Sequence, residues 1–256
     1  MKKMVFISGL HRSGTSVLHR IIRAAPEVSG FENTGEREDE GQLLQTVYHR
    51  AKNYGGPGHF AFDERARLDE NSSLITPENK EKLLCEWGKY WDNEKPIWVE
   101  KSPPNLIRTR FLQELFPDAY FVTITRHPLA VSMATQKWKE ESLDYLIRHW
   151  LAAHRIYRND RLKLKNEVSF SYEYMVQHPN NLLQQLGNFL DTEIPLSEPI
   201  KNGNTKYFAM WPKLKIWHWT RWNIKRKSAN LYEEAVNEFG YSLLDLGQYP
   251  LINQGF

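Results

Sequence analysis

The chain has 256 residues, a single cysteine, and 34 Lys and Arg against 31 Asp and Glu, a net charge of +3. That length suits one large α/β domain spanning 1–256, and the mild basic excess fits an anionic small ligand while giving no reason to expect nucleic acid. A lone Cys85 excludes an intramolecular disulfide and is expected to be a buried spectator. No stretch approaches the roughly 20 apolar residues of a membrane helix, and the run after Met1 is too short for a signal peptide, so a soluble cytoplasmic protein is expected.

In chain order, Met4 to Ser8 predicts a short buried strand and Ser16 to Ala25 a helix with Val17, Leu18, Ile21, Ile22 and Ala25 on one face. Pro26 ends that helix, and Val28 to Phe31 predicts a second strand with Glu32 at its exit. The polar text from 33 to 95 suggests an elaboration over the site, with helical patches near Glu40 to Arg50 and Pro77 to Tyr90. Ile97 to Lys101 and Ala119 to Thr125 predict further strands; a helix is expected from Asn105, and another from Pro128. A long helix over Ser142 to Asp160, a strand over Val168 to Tyr172 and a helix over Leu182 to Leu190 complete the pattern. Repeated strand-then-helix units imply an α/β, three-layer fold of P-loop type, a central parallel sheet flanked by helices.

The first strand and helix are joined by Gly9-Leu10-His11-Arg12-Ser13-Gly14-Thr15. Gly9-x-x-x-x-Gly14 has the spacing of a phosphate-binding loop, but Thr15 stands where a nucleotide triphosphatase needs lysine. The amides of Ser13, Gly14, Thr15 and Ser16 can still cradle an anion at a helix start, and Arg12 adds a charged fork. The plainer reading is an ordinary glycine turn.

This segment resembles the 5′-phosphosulfate loop of the sulfotransferases that use 3′-phosphoadenosine 5′-phosphosulfate (PAPS), in which Lys or Arg precedes Ser-Gly-Thr-Thr or Ser-Gly-Thr-Ser. Arg126-His127-Pro128-Leu129-Ala130-Val131-Ser132 resembles the family's 3′-phosphate motif, a strand ending in Arg followed by a helical Ser. The family serine usually falls where Ala134 stands, so the resemblance implies Arg126, with Ser132 two residues early and Thr135 one late. Lys101, in Val99-Glu100-Lys101-Ser102-Pro103, falls on the active-site lysine. The histidine base of the cytosolic enzymes is replaced by Pro103. Pro26-Glu27-Val28-Ser29-Gly30-Phe31-Glu32 is similar to the stretch in which tyrosylprotein sulfotransferases carry a glutamate base, which puts Glu32 in that role, with Glu38, Asp39 and Glu40 as rivals. Tyr172, in the late Tyr-Glu pair, falls on the tyrosine beside the adenine.

The stretches Glu38 to Gln42, Glu100 to Pro104 and Arg126 to Pro128 resemble a bacterial-type branch. The resemblance implies PAPS as co-substrate, a small-molecule or glycan acceptor, and no metal. The nine scattered histidines likewise show no convincing metal spacing. Trp211, Trp217, Trp219 and Trp222 alternate with cations up to Lys225-Arg226-Lys227, which suggests a lid over 201–228 or a basic face over a Trp-rich core. Two other readings stay open: a P-loop kinase, which would need magnesium and a lysine the loop lacks, and a non-enzymatic nucleotide, nucleic-acid or glycan binder.

Overall fold

Extended backbone points alternate side chains to opposite sides, and the first strand, β1 (Lys3–Ser8), uses both. Val5 and Ile7 enter one apolar cluster while Met4 and Phe6 enter another, so the strand is a continuous apolar run buried on both faces. The computed structural model describes residues 2–195, 200–211 and 232–252. Four more strands, β2 (Val28–Gly30), β3 (Ile97–Lys101), β4 (Tyr120–Thr125) and β5 (Glu167–Ser171), pair in parallel with it in the order β2-β3-β1-β4-β5. The chain moves outward from β1 to β2, returns to β3 beside β1, then crosses to β4 on the other side. The carboxyl ends of β1, β3 and β4 therefore open onto one switch-point crevice, where sheets of this kind take ligands.

On the first face, α1 (Thr15–Arg23) packs Leu18, Ile21 and Ile22 against Val5, Ile7, Val99 and Val122. The same cluster holds Met175 and the Leu182, Leu186 and Leu190 stripe, from two later helices, Tyr172–Gln177 and Pro179–Leu190. On the opposite face, α2 (Pro77–Gly88) contributes Leu83 and Trp87, and α3 (Thr109–Leu115) contributes Phe111, Leu112 and Leu115, around Phe6 and Phe121. A third cluster is built on α4 (Pro128–Thr135) and α5 (Leu143–Arg161), the latter N-capped by the Ser142 hydroxyl. Trp150 of α5 donates its indole N–H to the carbonyl of Arg126 at 3.0 Å, fastening that helix to the end of β4.

Three expectations need correction. Residues 40–50 form no α-helix but a single 3-10 turn, Gly41–Leu43, followed by bends, because the side chains of Gln42 and Gln45 bond to backbone groups of Ala51, Val47 and Tyr48 instead. Cys85 is exposed, since the inward stripe of α2 runs through Leu83 and Trp87 and leaves position 85 on the far side. Tyr172 does not end a strand; it opens α6, the Tyr172–Gln177 helix, which is followed by α7, Pro179–Leu190. Of the Trp-rich segment, Trp211 is buried, and Trp217, Trp219, Trp222 and Lys225 to Lys227 lie outside the described residues. No helix among the described residues is long and apolar enough to cross a membrane.

Several histidines are held neutral in the core. His149 accepts the Ala61 amide on Nε2, His154 donates Nδ1–H to the Trp150 carbonyl, and His127 accepts the Leu129 amide while donating to the Ser242 carbonyl. Burial pushes His149 and His154 down to about 3 and His127 to about 4. Unfolded, each titrates near its ordinary value of 6.5. Between the folded and unfolded values the unfolded chain binds more protons, so stability is lost as pH falls, each imidazole contributing about 1.4 kcal/mol for every pH unit crossed. The urea midpoint should fall steeply between about pH 6.5 and 4 and level off above it. A midpoint that stays level through that window would show these imidazoles are not buried neutral.

Candidate active site

The turn after β1 passes so close to β4 that only glycine fits at its start. Gly9 has φ +149°, and a Cβ there would lie 2.3 Å from the Ile124 carbonyl oxygen. Arg12 takes a left-handed φ of 72°, and Gly14, at φ 104°, heads α1 with no side chain capping the helix. The amide of Ser13, one of the four expected anion donors, donates to the Leu10 carbonyl at 2.9 Å. The Ser13 hydroxyl and Arg12 Nε are buried and find no hydrogen-bond partner among the described residues. The guanidinium groups of Arg12 and Arg37 lie 4.6 and 4.8 Å from the Trp138 ring centroid.

Lys101 ends β3 in register with Ile7 of β1, which brings its fully buried side chain under the loop. Its Nζ donates to the Glu38 carbonyl at 2.6 Å, lies 3.4 Å from the Ser16 hydroxyl and stands 3.8 Å from Glu40 Oε1. Ser16 in turn donates to the Glu38 carboxylate at 2.9 Å. Glu38 and Asp39 are consecutive non-glycine residues with φ 57° and 48°, each costing roughly 1–2 kcal/mol. That bend is held by Asp39, which accepts from the Thr34 amide and hydroxyl at 2.9 and 2.7 Å. Beyond it, the Gln42 amide donates to Ser102 at 2.8 Å and Trp87 donates to the Gly41 carbonyl at 3.0 Å. Glu40 is thereby fixed beside Lys101. Burial pushes the Glu40 carboxyl above its ordinary value and the Lys101 ammonium below its own. Beneath them, burial raises Glu100 to about 7, against the opposing pull of its bonds from Ser102 and Asn105.

Arg126 follows β4 and comes back to the same loop. Its Nη1 donates to the Arg12 carbonyl at 2.7 Å, and its guanidinium lies 4.2 Å from the Tyr172 ring centroid. Tyr172 packs on Gly14, where an added Cβ would meet the ring at 2.9 Å, and its hydroxyl bridges Lys201 and Gly203. Ser132 is buried in α4, and its hydroxyl has no partner among the described residues. Thr135 instead bonds its hydroxyl to the Val131 carbonyl at 2.8 Å, the back-bond available to a helical threonine.

One cavity of about 210 Å³ gathers Arg12, Gly14, Thr15 and Ser16 with Glu38, Glu40, Arg126 and Tyr172 on its wall. Lys101 reaches it through Ser16 and Glu38. Glu32 and Ser132 do not line it. Glu32 is more than half exposed, pairs with Arg23 at 2.7 Å and borders the neighbouring cleft that Ser16 and Glu38 also line. Trp138 and Arg37 carry no sequence signal of their own. Glu40 was recognisable only as one of four candidate bases, with Glu32, Glu38 and Asp39. Among the described residues, no three His, Cys, Asp or Glu side chains form a group that could hold a metal ion.

A family model described as the sulfotransferase family matches residues 4–196. The chain belongs to the sulfotransferase family. It is 24% identical over 199 residues to protein-tyrosine sulfotransferase 2 of Gallus gallus, matching 73% of this chain and 50% of that one, so it spans about half the length of this curated relative. Among solved structures it is similar to sulfotransferase STF1 from Mycobacterium tuberculosis, with TM-score 0.52 and 15% identity over 82% of this chain and 71% of that one. Sulfotransferase STF9 from Mycobacterium avium gives 0.51 and 13%, over 83% and 68%. These likenesses show that this sulfotransferase shares their fold. Because an added methyl at position 9 must displace the β4 backbone, Gly9→Ala should lower the thermal midpoint by several degrees, equivalent to at least about 1 kcal/mol. An unchanged midpoint would show that the loop does not depend on this close approach.

Proposed function

We propose that this sulfotransferase moves a sulfuryl group from PAPS to a hydroxyl or amine of a small-molecule or glycan acceptor by in-line displacement. The observation that carries the reading is the convergence of two cationic seats on one cavity, the Arg12 loop after β1 and Arg126 after β4, joined by a 2.7 Å bond. Arg12, on that cavity's wall, has a buried Nε with no partner among the described residues, a polar group whose burial is costly until something such as an anion bonds to it. On this reading the amides of Gly14, Thr15 and Ser16, with Arg12, hold the 5′-phosphosulfate. Arg126 holds the 3′-phosphate, and Tyr172 lies beside the adenine.

PAPS supplies the sulfuryl group and carries away the bridging oxygen's electron pair as adenosine 3′,5′-bisphosphate. The chain's part is to align the acceptor, take its proton and bear the new charge. Glu40 takes that proton as the acceptor oxygen or nitrogen bonds to sulfur. It is the carboxylate fixed beside Lys101, whereas Glu32 is turned to Arg23. A carboxyl raised by burial is a better base near neutrality than an ordinary one. Lys101, freed from the Glu38 carbonyl, and Arg12 follow the charge onto the leaving phosphate.

Calorimetry tests the donor. Adenosine 3′,5′-bisphosphate should bind without added metal, and ATP with magnesium should not compete. Magnesium-dependent ATP turnover would favour a kinase, and salt-sensitive nucleic-acid binding without nucleotide affinity would favour a binder. The base is tested by adenosine 3′,5′-bisphosphate release from PAPS with phenol, sugar and amine acceptors. Glu40→Gln should lower kcat by about 10² to 10⁴, while Glu32→Gln stays within a few-fold of the unaltered chain. The acid limb of the kcat profile should lie above the ordinary carboxylate range, since protonating Glu40 removes the base. The reverse ranking of the two variants would return the role to Glu32.

A further inference from the structure

A buried carboxylate at the site's distal edge has no part in the roles assigned above. Glu173 is the second residue of α6, just after Tyr172, and is almost fully buried. It accepts from the His127 amide at 3.1 Å, from Asn204 Nδ2 at 2.5 Å and from the Tyr241 hydroxyl at 3.2 Å. Tyr241 is in turn 2.8 Å from the Thr125 hydroxyl. The three groups converging on this carboxylate come from the exit of β4 and from two segments late in the chain.

Asn204 links this set to Arg126, which lines the cavity. It is 2% exposed, and its two amide ends face different partners. Oδ1 accepts from Arg126 Nε at 2.7 Å, while Nδ2 donates to Glu173. The carboxylate, which can only accept from Nδ2, sets the direction of the amide, leaving its oxygen toward the guanidinium. With Nε bonded to Asn204, Nη1 to the Arg12 carbonyl and the plane stacked on Tyr172, the guanidinium has one orientation. Nη2, which bonds no protein acceptor among the described residues, is the edge left for a ligand.

We propose that Asn204, aimed by Glu173, is a positioning residue that holds the Nη2 edge of Arg126 toward the donor's 3′-phosphate. The chain's preference for a 3′-phosphorylated nucleotide then depends on a side chain that bonds only to protein. The proposal rests on the donor reading above and adds to it the element that makes the second phosphate count. An arginine free to swing loses part of each bond's gain to ordering, while a preset fork does not.

The test compares the affinities of adenosine 3′,5′-bisphosphate and 5′-AMP by calorimetry, in the unaltered chain and in Asn204→Ala. The unaltered chain should prefer the bisphosphate. Asn204→Ala should weaken bisphosphate binding by roughly tenfold or more and leave 5′-AMP within about twofold, so that the preference collapses. Glu173→Gln, which cannot accept three donors in the same way, should give the same asymmetric loss and serves if the alanine variant does not fold. A preference that survives in a folded variant, or an equal loss for both nucleotides, overturns the positioning role. If the unaltered chain binds the two nucleotides equally, the donor reading fails, and this inference with it.

Discussion

A guanidinium donating to a backbone carbonyl joins the two halves of this site. Arg126 leaves β4, stacks on Tyr172 and bonds the Arg12 carbonyl, so the loop after β1 and the exit of β4 are held as one surface. The parallel order β2-β3-β1-β4-β5 makes this possible by placing β1 between β3 and β4. Gly9 makes it close, because no side chain fits between the loop and Ile124. Each ingredient is ordinary for an α/β fold; their coincidence sets two guanidinium groups on the wall of one cavity.

The cost of the arrangement is buried charge. Lys101, Glu40 and Glu100 all lie at the exit of β3 or against it, and removing water from them disfavours every ionised form. The fold answers with bonds rather than exposure, from Ser102 and Asn105 to Glu100, and from Lys101 to the Glu38 carbonyl. The left-handed pair Glu38 and Asp39 is the local strain this requires. A lysine and a carboxyl both pushed toward neutrality, beside the uncapped start of α1, suit a site where a proton and a negative charge change hands.

Much of this was legible in the residues. The strands stood out as apolar runs, the loop as a glycine-bounded turn between strand and helix, and Lys101 and Arg126 as cations at strand exits. All three properties are local, as are the periods that reveal them. The stretch after Glu32 was harder, because Gln42 and Gln45 replace helical bonds with side-chain ones, and no periodicity records that. The sequence offered Glu32 by alignment with a family glutamate, while the geometry gathers Glu38 and Glu40 around Lys101. Asn204 was invisible: it lies 78 positions from Arg126, in a loop whose composition carries no chemistry of its own.

The claim that the two cationic seats grip a single nucleotide is tested most directly by a crystal structure with adenosine 3′,5′-bisphosphate. The account predicts the 5′-phosphate at the amides of Gly14, Thr15 and Ser16, and the 3′-phosphate on Arg126. A nucleotide bound elsewhere, or one whose 3′-phosphate points to solvent while Arg126 keeps only its protein partners, would contradict it.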